Sequence, residues 1–161
     1  MRRDELRRRA EAAYRERLPE LVRVAAATSG SREAAADLVQ EAFARALREL
    51  DTFAGRGSFE GWLWRIVTNV ALNHRRDRRP AVPLRDEEPT AEHELRNDDV
   101  TRAVARLPEQ QRLVLFLFYY GDLDYRTIGD ALGISAGTVG ATLNAARNAL
   151  LAELTEKEAV S

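Results

Sequence analysis

Cysteine is absent from the 161-residue chain, which excludes disulfides and thiolate metal sites. Lysine is almost absent too: Lys157 stands alone, and every other basic residue is arginine. No apolar run reaches the ~18 residues that a membrane span needs, so insertion in a membrane is not expected. The N-terminus, MRRDELRRRA, lacks the apolar core of a secretory signal, and a cytoplasmic location is expected. Strand signals are scarce, because alternating β-branched and aromatic runs do not occur. Only two histidines are present, and His74 sits in a basic run whereas His93 sits in an acidic one, so no metal pair is expected. There is no glycine-rich phosphate loop. The segment GISAG (133–137) has the spacing of a nucleophile elbow, but that motif requires a preceding strand. No catalytic residue, cofactor or metal is therefore expected, and the protein does not read as an enzyme.

What remains is helical. Alanine, leucine, arginine and glutamate dominate, and apolar residues recur at intervals of three and four. Residues 5–28 read as one or two helices with Tyr14, Leu18, Leu21 and Val22 inward and Pro19 as a kink or break. Ser31 is placed to cap a helix over 32–50 that buries Val39, Phe43, Leu47 and Leu50. A loop, DTFAGRG (51–57), leads to Ser58, which caps a helix to about Arg76 with Phe59, Trp62, Leu63, Ile66, Val67 and Val70 inward. Residues 77–97 carry Pro80, Pro83 and Pro89 among acidic residues and read as a linker. A further helix covers 98–106, and Pro108 opens another at its tolerated first turn.

The end of the chain, TIGDALGISAGTVGATLNAARNAL (127–150), has the form of a helix-turn-helix. Its first helix ends near Leu132, and Gly133 suits the left-handed position that stops it. Ser135 caps a second helix that runs through Leu151. Ile128, Leu132, Ile134, Val139, Leu143 and Leu150 form the shared apolar seam. Such a second helix can lie in a DNA major groove. Here it is poor in charge, since Arg147 is the only charged residue from Ser135 to Leu151.

The net charge of −1 conceals an asymmetry. Residues 1–80 hold 17 Arg against 12 Asp and Glu, a balance of +5, whereas residues 81–161 stand at −6. The front half is thus the better match to a polyanion. Two helix faces concentrate its polar chemistry. Asp37, Gln40, Glu41 and Ala44 fall on one stripe, with Arg45 beside them, and offer either a solvated surface or a docking face for a basic partner. Arg65, Asn69, Asn73 and Arg76 form another stripe, extended by Arg75, Arg78 and Arg79. Asn can read a base edge, and Arg can contact a base or a phosphate. Trp62 follows the apolar periodicity and belongs to the core. Trp64 lies off that stripe, where stacking on an unstacked base is an alternative to packing.

Taken in order, three segments resemble a bacterial sigma factor of the extracytoplasmic-function type in the sigma-70 family. DLVQEAFARAL (37–47) resembles region 2.2, GSFEGWLWRIVTNVALNHRRDRR (57–79) resembles regions 2.3 and 2.4, and the stretch from Leu107 to Leu154 resembles region 4. The resemblance implies an all-α fold of two small helical domains, a region 2-like domain over 1–79 and a region 4-like helix-turn-helix domain over 98–161, joined by an acidic proline-bearing linker over 80–97. It implies core RNA polymerase and promoter DNA as partners. Asp37, Gln40, Glu41 and Arg45 would dock on the β′ coiled coil, and the region 4-like domain would meet the β flap. Trp64, Arg65, Asn69, Asn73, Arg75, Arg76 and Arg79 would melt and hold the −10 element. Ser135, Thr138, Thr142, Asn144 and Arg147 would contact the −35 element. An anti-sigma partner is also implied, because many relatives have one.

The recognition segment departs from the family pattern: Gly140, Ala141, Thr142, Asn144 and Ala145 stand where Lys, Ser, Arg, His and Arg are common. Gly140 also weakens its helix by about 0.5–1 kcal/mol relative to Ala. Two other readings compete with an ordinary sigma factor. One is a stand-alone helix-turn-helix regulator that binds duplex DNA without polymerase. The other is a sigma-like polymerase adaptor with weak −35 recognition.

Overall fold

The structure is a computed structural model that describes residues 2–78 and 91–160, with side chains described from Asp99 to Ala159 in the second stretch. Arg79 and the three prolines of the expected linker lie outside the described residues. The described residues form seven α-helices and one short 3-10 turn, with no strand among them: α1 (Arg2–Ser29), α2 (Arg32–Arg48), the turn (Leu50–Thr52), α3 (Phe59–Asp77), α4 (Ala91–Arg106), α5 (Glu109–Tyr119), α6 (Tyr125–Leu132) and α7 (Ala136–Val160).

Local chemistry sets most of the boundaries. The Ser31 hydroxyl accepts from Ala34 N at 3.1 Å and starts α2. Ser58 does the same for α3, accepting from Gly61 N at 3.0 Å. Gly133 takes the left-handed conformation, φ 72°, that ends α6, and Ser135 Oγ accepts from Thr138 N at 3.1 Å to begin α7. The carboxylate of Asp124 caps α6 by accepting from Thr127 N at 2.8 Å. That backbone bond, and then a further bond with the Thr127 side chain, hold Asp124 below the usual aspartate range.

Helix α1 is continuous across Pro19, the single-helix alternative of the two expected for this segment. Two boundaries differ from expectation. Helix α4 starts at Ala91, inside the segment whose composition reads as linker. Beyond Pro89 the sequence AEHELR consists mostly of good helix formers. Helix α7 runs to Val160 rather than stopping at Leu151. Its extra turns are tied to α4 by ion pairs, Arg106 with Glu153 and Lys157 with Asp99.

Helices α1–α3 make one bundle and α4–α7 another, and the two share a continuous apolar core. The first contributes Leu21, Val24, Val39, Leu50, Leu63 and Val67; the second contributes Val114, Leu117, Ile128, Val139 and Leu143. Contact between the bundles runs mainly through α6 against α3, with α5 against α1. Leu123, at the end of the α5–α6 turn, lies beside Phe59, Leu63 and Trp64 of α3 at this junction and is only 7% exposed. Arg17 of α1 donates to the carbonyl of Gly121 in the same turn.

Candidate polymerase and nucleic-acid interfaces

The exposed side of α2 carries Asp37, Gln40, Glu41, Ala44 and Arg45 on successive turns. Apolar neighbours at the intervening positions, Leu38, Val39, Ala42, Phe43 and Ala46, are buried and fix which way that side faces. Arg45 is partly engaged by Glu49 at 3.2 Å, so the stripe remains acidic at its N-terminal end. Beside it, α1 and α2 border a shallow, mainly apolar cleft of about 330 Å³ that includes Tyr14, Gln40, Phe43 and Leu47.

On α3, Arg65, Asn69, Asn73 and Arg76 are exposed and Arg75 is half-buried. They project from a helix that is otherwise deeply packed, with Ile66, Val67, Thr68, Val70 and Ala71 all buried. Trp64 corrects the expectation made for it. It is 4% exposed, packed into the core beside Leu63 and Leu123, and offers no face to a base. The physical reason is that α3 is covered on two sides, by α1 and α2 on one and by α6 on the other. A single apolar stripe therefore underestimates its buried surface. Trp62 is the shallower of the two tryptophans, half-buried in an aromatic group with Phe59 (5.4 Å) and Phe53 (5.8 Å).

Three contacts from the second bundle fall on or beside this face. Asp130 of α6 accepts from Ser58 N at 2.8 Å. The Arg65 guanidinium lies close to Gly133, 3.3 Å from where a Cβ would be. Arg76 pairs with Glu109 of α5 at 3.3 Å, although both side chains stay largely exposed. Sequence reasoning missed Asp130 because its partner is 72 residues away and nothing local announces it.

In the helix-turn-helix, Ser135, Thr138 and Asn144 are exposed, and Thr142 is half-buried. Ser135 and Thr138 spend much of their hydrogen-bonding capacity on each other, with hydroxyls 2.9 Å apart, and on the cap itself. Arg147 points toward α5: its Nε donates to the Tyr119 hydroxyl at 2.9 Å, and its guanidinium lies over the rings of Phe118 and Tyr119. Gly140 has a packing role, since the Tyr125 ring lies 3.2 Å from where its Cβ would be. No group of three or more potential metal ligands occurs among the described residues, and no described helix is long and apolar enough to cross a membrane.

Comparison with known proteins places this arrangement. Residues 13–81 match the family Sigma-70 region 2, and residues 97–150 match Sigma-70, region 4. Among curated proteins, ECF RNA polymerase sigma factor SigW of Bacillus subtilis is 30% identical, with 78% of each chain covered. SigE of Mycolicibacterium smegmatis is 34% identical over 84% of this chain and 58% of its own. The sigma-E factor of Escherichia coli is 33% identical over 71% and 70%. Among solved structures, CnrH in complex with the cytosolic domain of CnrY superposes with a TM-score of 0.72, at 23% identity and over 96% and 95% of the two chains. The sigma factor RpoE of Bartonella quintana, bound to the anti-sigma factor NepR, gives 0.67 at 24% identity over 90% and 96%. These two likenesses speak to the fold alone. On the family matches and the curated relatives, this chain belongs to the sigma-70 family, in its extracytoplasmic-function group, and is an RNA polymerase sigma factor.

Proposed function

We propose that the first bundle docks on core RNA polymerase through the α2 stripe of Asp37, Gln40, Glu41 and Arg45, with the β′ coiled coil as its target, and opens the −10 element with α3. Arg65, Arg75 and Arg76 would contact phosphates or bases, and Asn69 and Asn73 would read the edges of extruded bases. The observation that carries this reading is the pair Asn69 and Asn73. Both are exposed, one turn apart and flanked by arginines, on a helix that buries nearly everything else. Arg79 follows in sequence and extends the basic run. Extruding a base costs a few kcal/mol, which edge contacts and arginines must offset. The chain itself performs no catalysis.

The second bundle would meet the β flap and read the −35 element weakly, through Ser135, Thr138, Asn144 and half-buried Thr142. Arg147 takes no direct part while Tyr119 holds it. A helix without free Arg or Lys at its reading face gives up the commonest contact to guanine, so an A·T-leaning upstream element fits best. An anti-sigma protein is a further partner in keeping with the family.

Run-off transcription with purified core polymerase tests the reading. Promoter-specific transcripts are expected, and a chain that forms no stable complex with core would sink it. The held position of Arg147 also favours a second reading, a sigma-like adaptor that has given up −35 reading. In that case Asp37→Arg abolishes function while Asn144→Ala leaves it intact at every promoter.

A further inference from the structure

We infer that Arg126 and Tyr125, at the start of α6, bind the phosphate backbone of the duplex whose groove α7 enters. They supply the ionic contact that the reading half of α7 lacks. This rests on the reading of α6 and α7 as a helix-turn-helix that meets promoter DNA.

Much of the affinity for duplex DNA comes from neutralised phosphates, and most cations of the second bundle are already engaged. Arg106 pairs with Glu153, and Lys157 pairs with Asp99, with Arg102 acting on the same aspartate. Arg112 donates to the carbonyls of Ala105 and Leu107, and Arg147 is held by Tyr119. Arg126 differs. It is exposed and makes no hydrogen bond or ion pair among the described residues. Its acidic neighbours do not cancel it. Asp130, one turn further along α6, is committed to α3: it accepts from Ser58 N at 2.8 Å, and Gly61 makes room for it, since a Cβ there would overlap Asp130 Cβ. Asp124 turns its carboxylate to Thr127 N at 2.8 Å. Asp122 is exposed and confines the basic character to one spot, which suits a single phosphate.

Packing puts this cation beside α7. Tyr125, next to Arg126 in the first turn of α6, lays a ring edge against the reading helix. Its Cε2 lies 3.2 Å and its Cδ2 3.6 Å from where a Gly140 Cβ would be. Phe118 backs the ring, with centroids 5.8 Å apart. Gly140 keeps the ring seated, because a side chain there would press on it. Tyr125 nevertheless stays 39% exposed, and its hydroxyl has no partner among the described residues. A phenol and a guanidinium, both free to donate, thus stand on adjacent residues alongside the half of α7 that carries Ser135, Thr138, Ala141 and Asn144. In a helix-turn-helix the second helix lies in the groove while the first crosses the backbone. A phosphate at the edge of the groove therefore meets these two side chains. Such contacts set position and affinity rather than base sequence, so base choice stays with Thr138 and Asn144.

The full chain allows a direct test by fluorescence anisotropy, with a labelled mixed-sequence duplex titrated from low to physiological salt. Arg126→Ala is expected to flatten the log–log salt slope by about 0.9, the share of one phosphate, and to weaken binding most at low salt. Arg126→Lys is expected to restore the slope, because a point charge serves a phosphate. Tyr125→Phe keeps the ring on Gly140 and loses the donor, so binding should weaken by about fivefold with the slope unchanged. Arg147→Ala, which removes an arginine already engaged by Tyr119, is the control and leaves the slope as in the wild type. Circular dichroism melts identify a variant that has simply unfolded, and the lysine and phenylalanine variants then decide. The inference is overturned by a wild type that ignores the duplex even at low salt, by an Arg126→Ala slope equal to that of the wild type, by a slope that lysine does not restore, or by a Tyr125→Phe variant that binds as tightly as the wild type. Run-off transcription by the wild type on core polymerase separates the two claims: its failure counts against the functional reading and leaves the salt slope to judge Arg126.

Discussion

The guanidinium of Arg147 is bound to Tyr119, although both residues remain exposed: Nε donates to the tyrosine hydroxyl at 2.9 Å, and the group lies 5.6 Å from the ring centroid. The one cation in the reading half of α7 thus joins α7 to α5. Arg147→Ala is expected to destabilise the C-terminal bundle by about 0.5–1 kcal/mol, the worth of an exposed cation–π contact. It should leave the salt dependence of duplex binding unchanged. Loss of a real phosphate contact would flatten the log–log slope by about 0.9. Titrations at several salt concentrations, beside thermal melts, distinguish the two roles.

Trp64 calls for the opposite kind of prediction. Because it is buried in the core, Trp64→Ala should cost about 3–5 kcal/mol of stability. Any loss of transcription would then follow unfolding. Asn73→Ala, at an exposed position, should leave the denaturation midpoint within experimental error and still slow promoter opening. Permanganate footprinting of the −10 region, set beside urea denaturation of each variant, makes the comparison.

These two residues also show how far the sequence could be read. Caps were legible because they are local: Ser31, Ser58 and Ser135 each accept from a backbone N–H three residues on, and Gly133 takes the left-handed turn. The order of helices and the helix-turn-helix were legible from periodicity. Trp64 was misjudged because a stripe at three-and-four spacing describes a helix buried on one side, and α3 is buried on two. Arg147, Asp130 and Gly61 were opaque for a related reason. Their partners lie 28, 72 and 69 residues away, and no local pattern encodes such a pairing. The early start of α4 was hidden by acidic residues, which serve a helix N-terminus as well as they serve a linker.

Asp124 gives a pH prediction. Its bond from Thr127 N holds the carboxyl below the usual aspartate value of 3.8. A depressed folded-state value means that its contribution is fully present above the unfolded value and is lost as pH falls through the folded one. The stabilisation from this cap should therefore hold down to about pH 4 and fade below it. Asp124→Asn keeps an acceptor for Thr127 without the titration, so its stability should be flatter across this acid range. Asp124→Ala should lose about 0.5–2 kcal/mol at neutral pH. Thermal melts of the three proteins between pH 6 and pH 2 settle it, and a wild type that parallels the asparagine variant throughout would refute the role of the charge.

The acidic stripe on α2 can be tested by charge reversal. Asp37 and Glu41 are exposed, one turn apart. Against a basic docking partner, Glu41→Arg places like charges together at a cost of several kcal/mol, and each 1.4 kcal/mol is about tenfold in affinity. Binding to core polymerase should weaken by at least about tenfold, and more steeply at low salt, while the melting temperature stays near that of wild type. An unchanged affinity would show that the stripe is merely solvated.

Upstream recognition gives the sharpest test of the uncharged helix. On the exposed side of α7, Ala141, Asn144, Ala145 and Asn148 follow Thr138. Asparagine pairs with the N6 and N7 of adenine and alanine meets the thymine methyl, whereas the guanine contact calls for Arg or Lys. A promoter library randomised at the −35 position and transcribed by the reconstituted holoenzyme should thus enrich A·T pairs. Asn144→Ala should relax the preference at one position by about 1–3 kcal/mol, and Ala141→Arg should shift a neighbouring position toward guanine. Sequencing the transcribed templates provides the measurement. Enrichment of G·C pairs by the wild type would contradict the assignment of these side chains. A library left unselected, with initiation still dependent on Asp37, would mean that the second bundle serves the polymerase rather than the DNA.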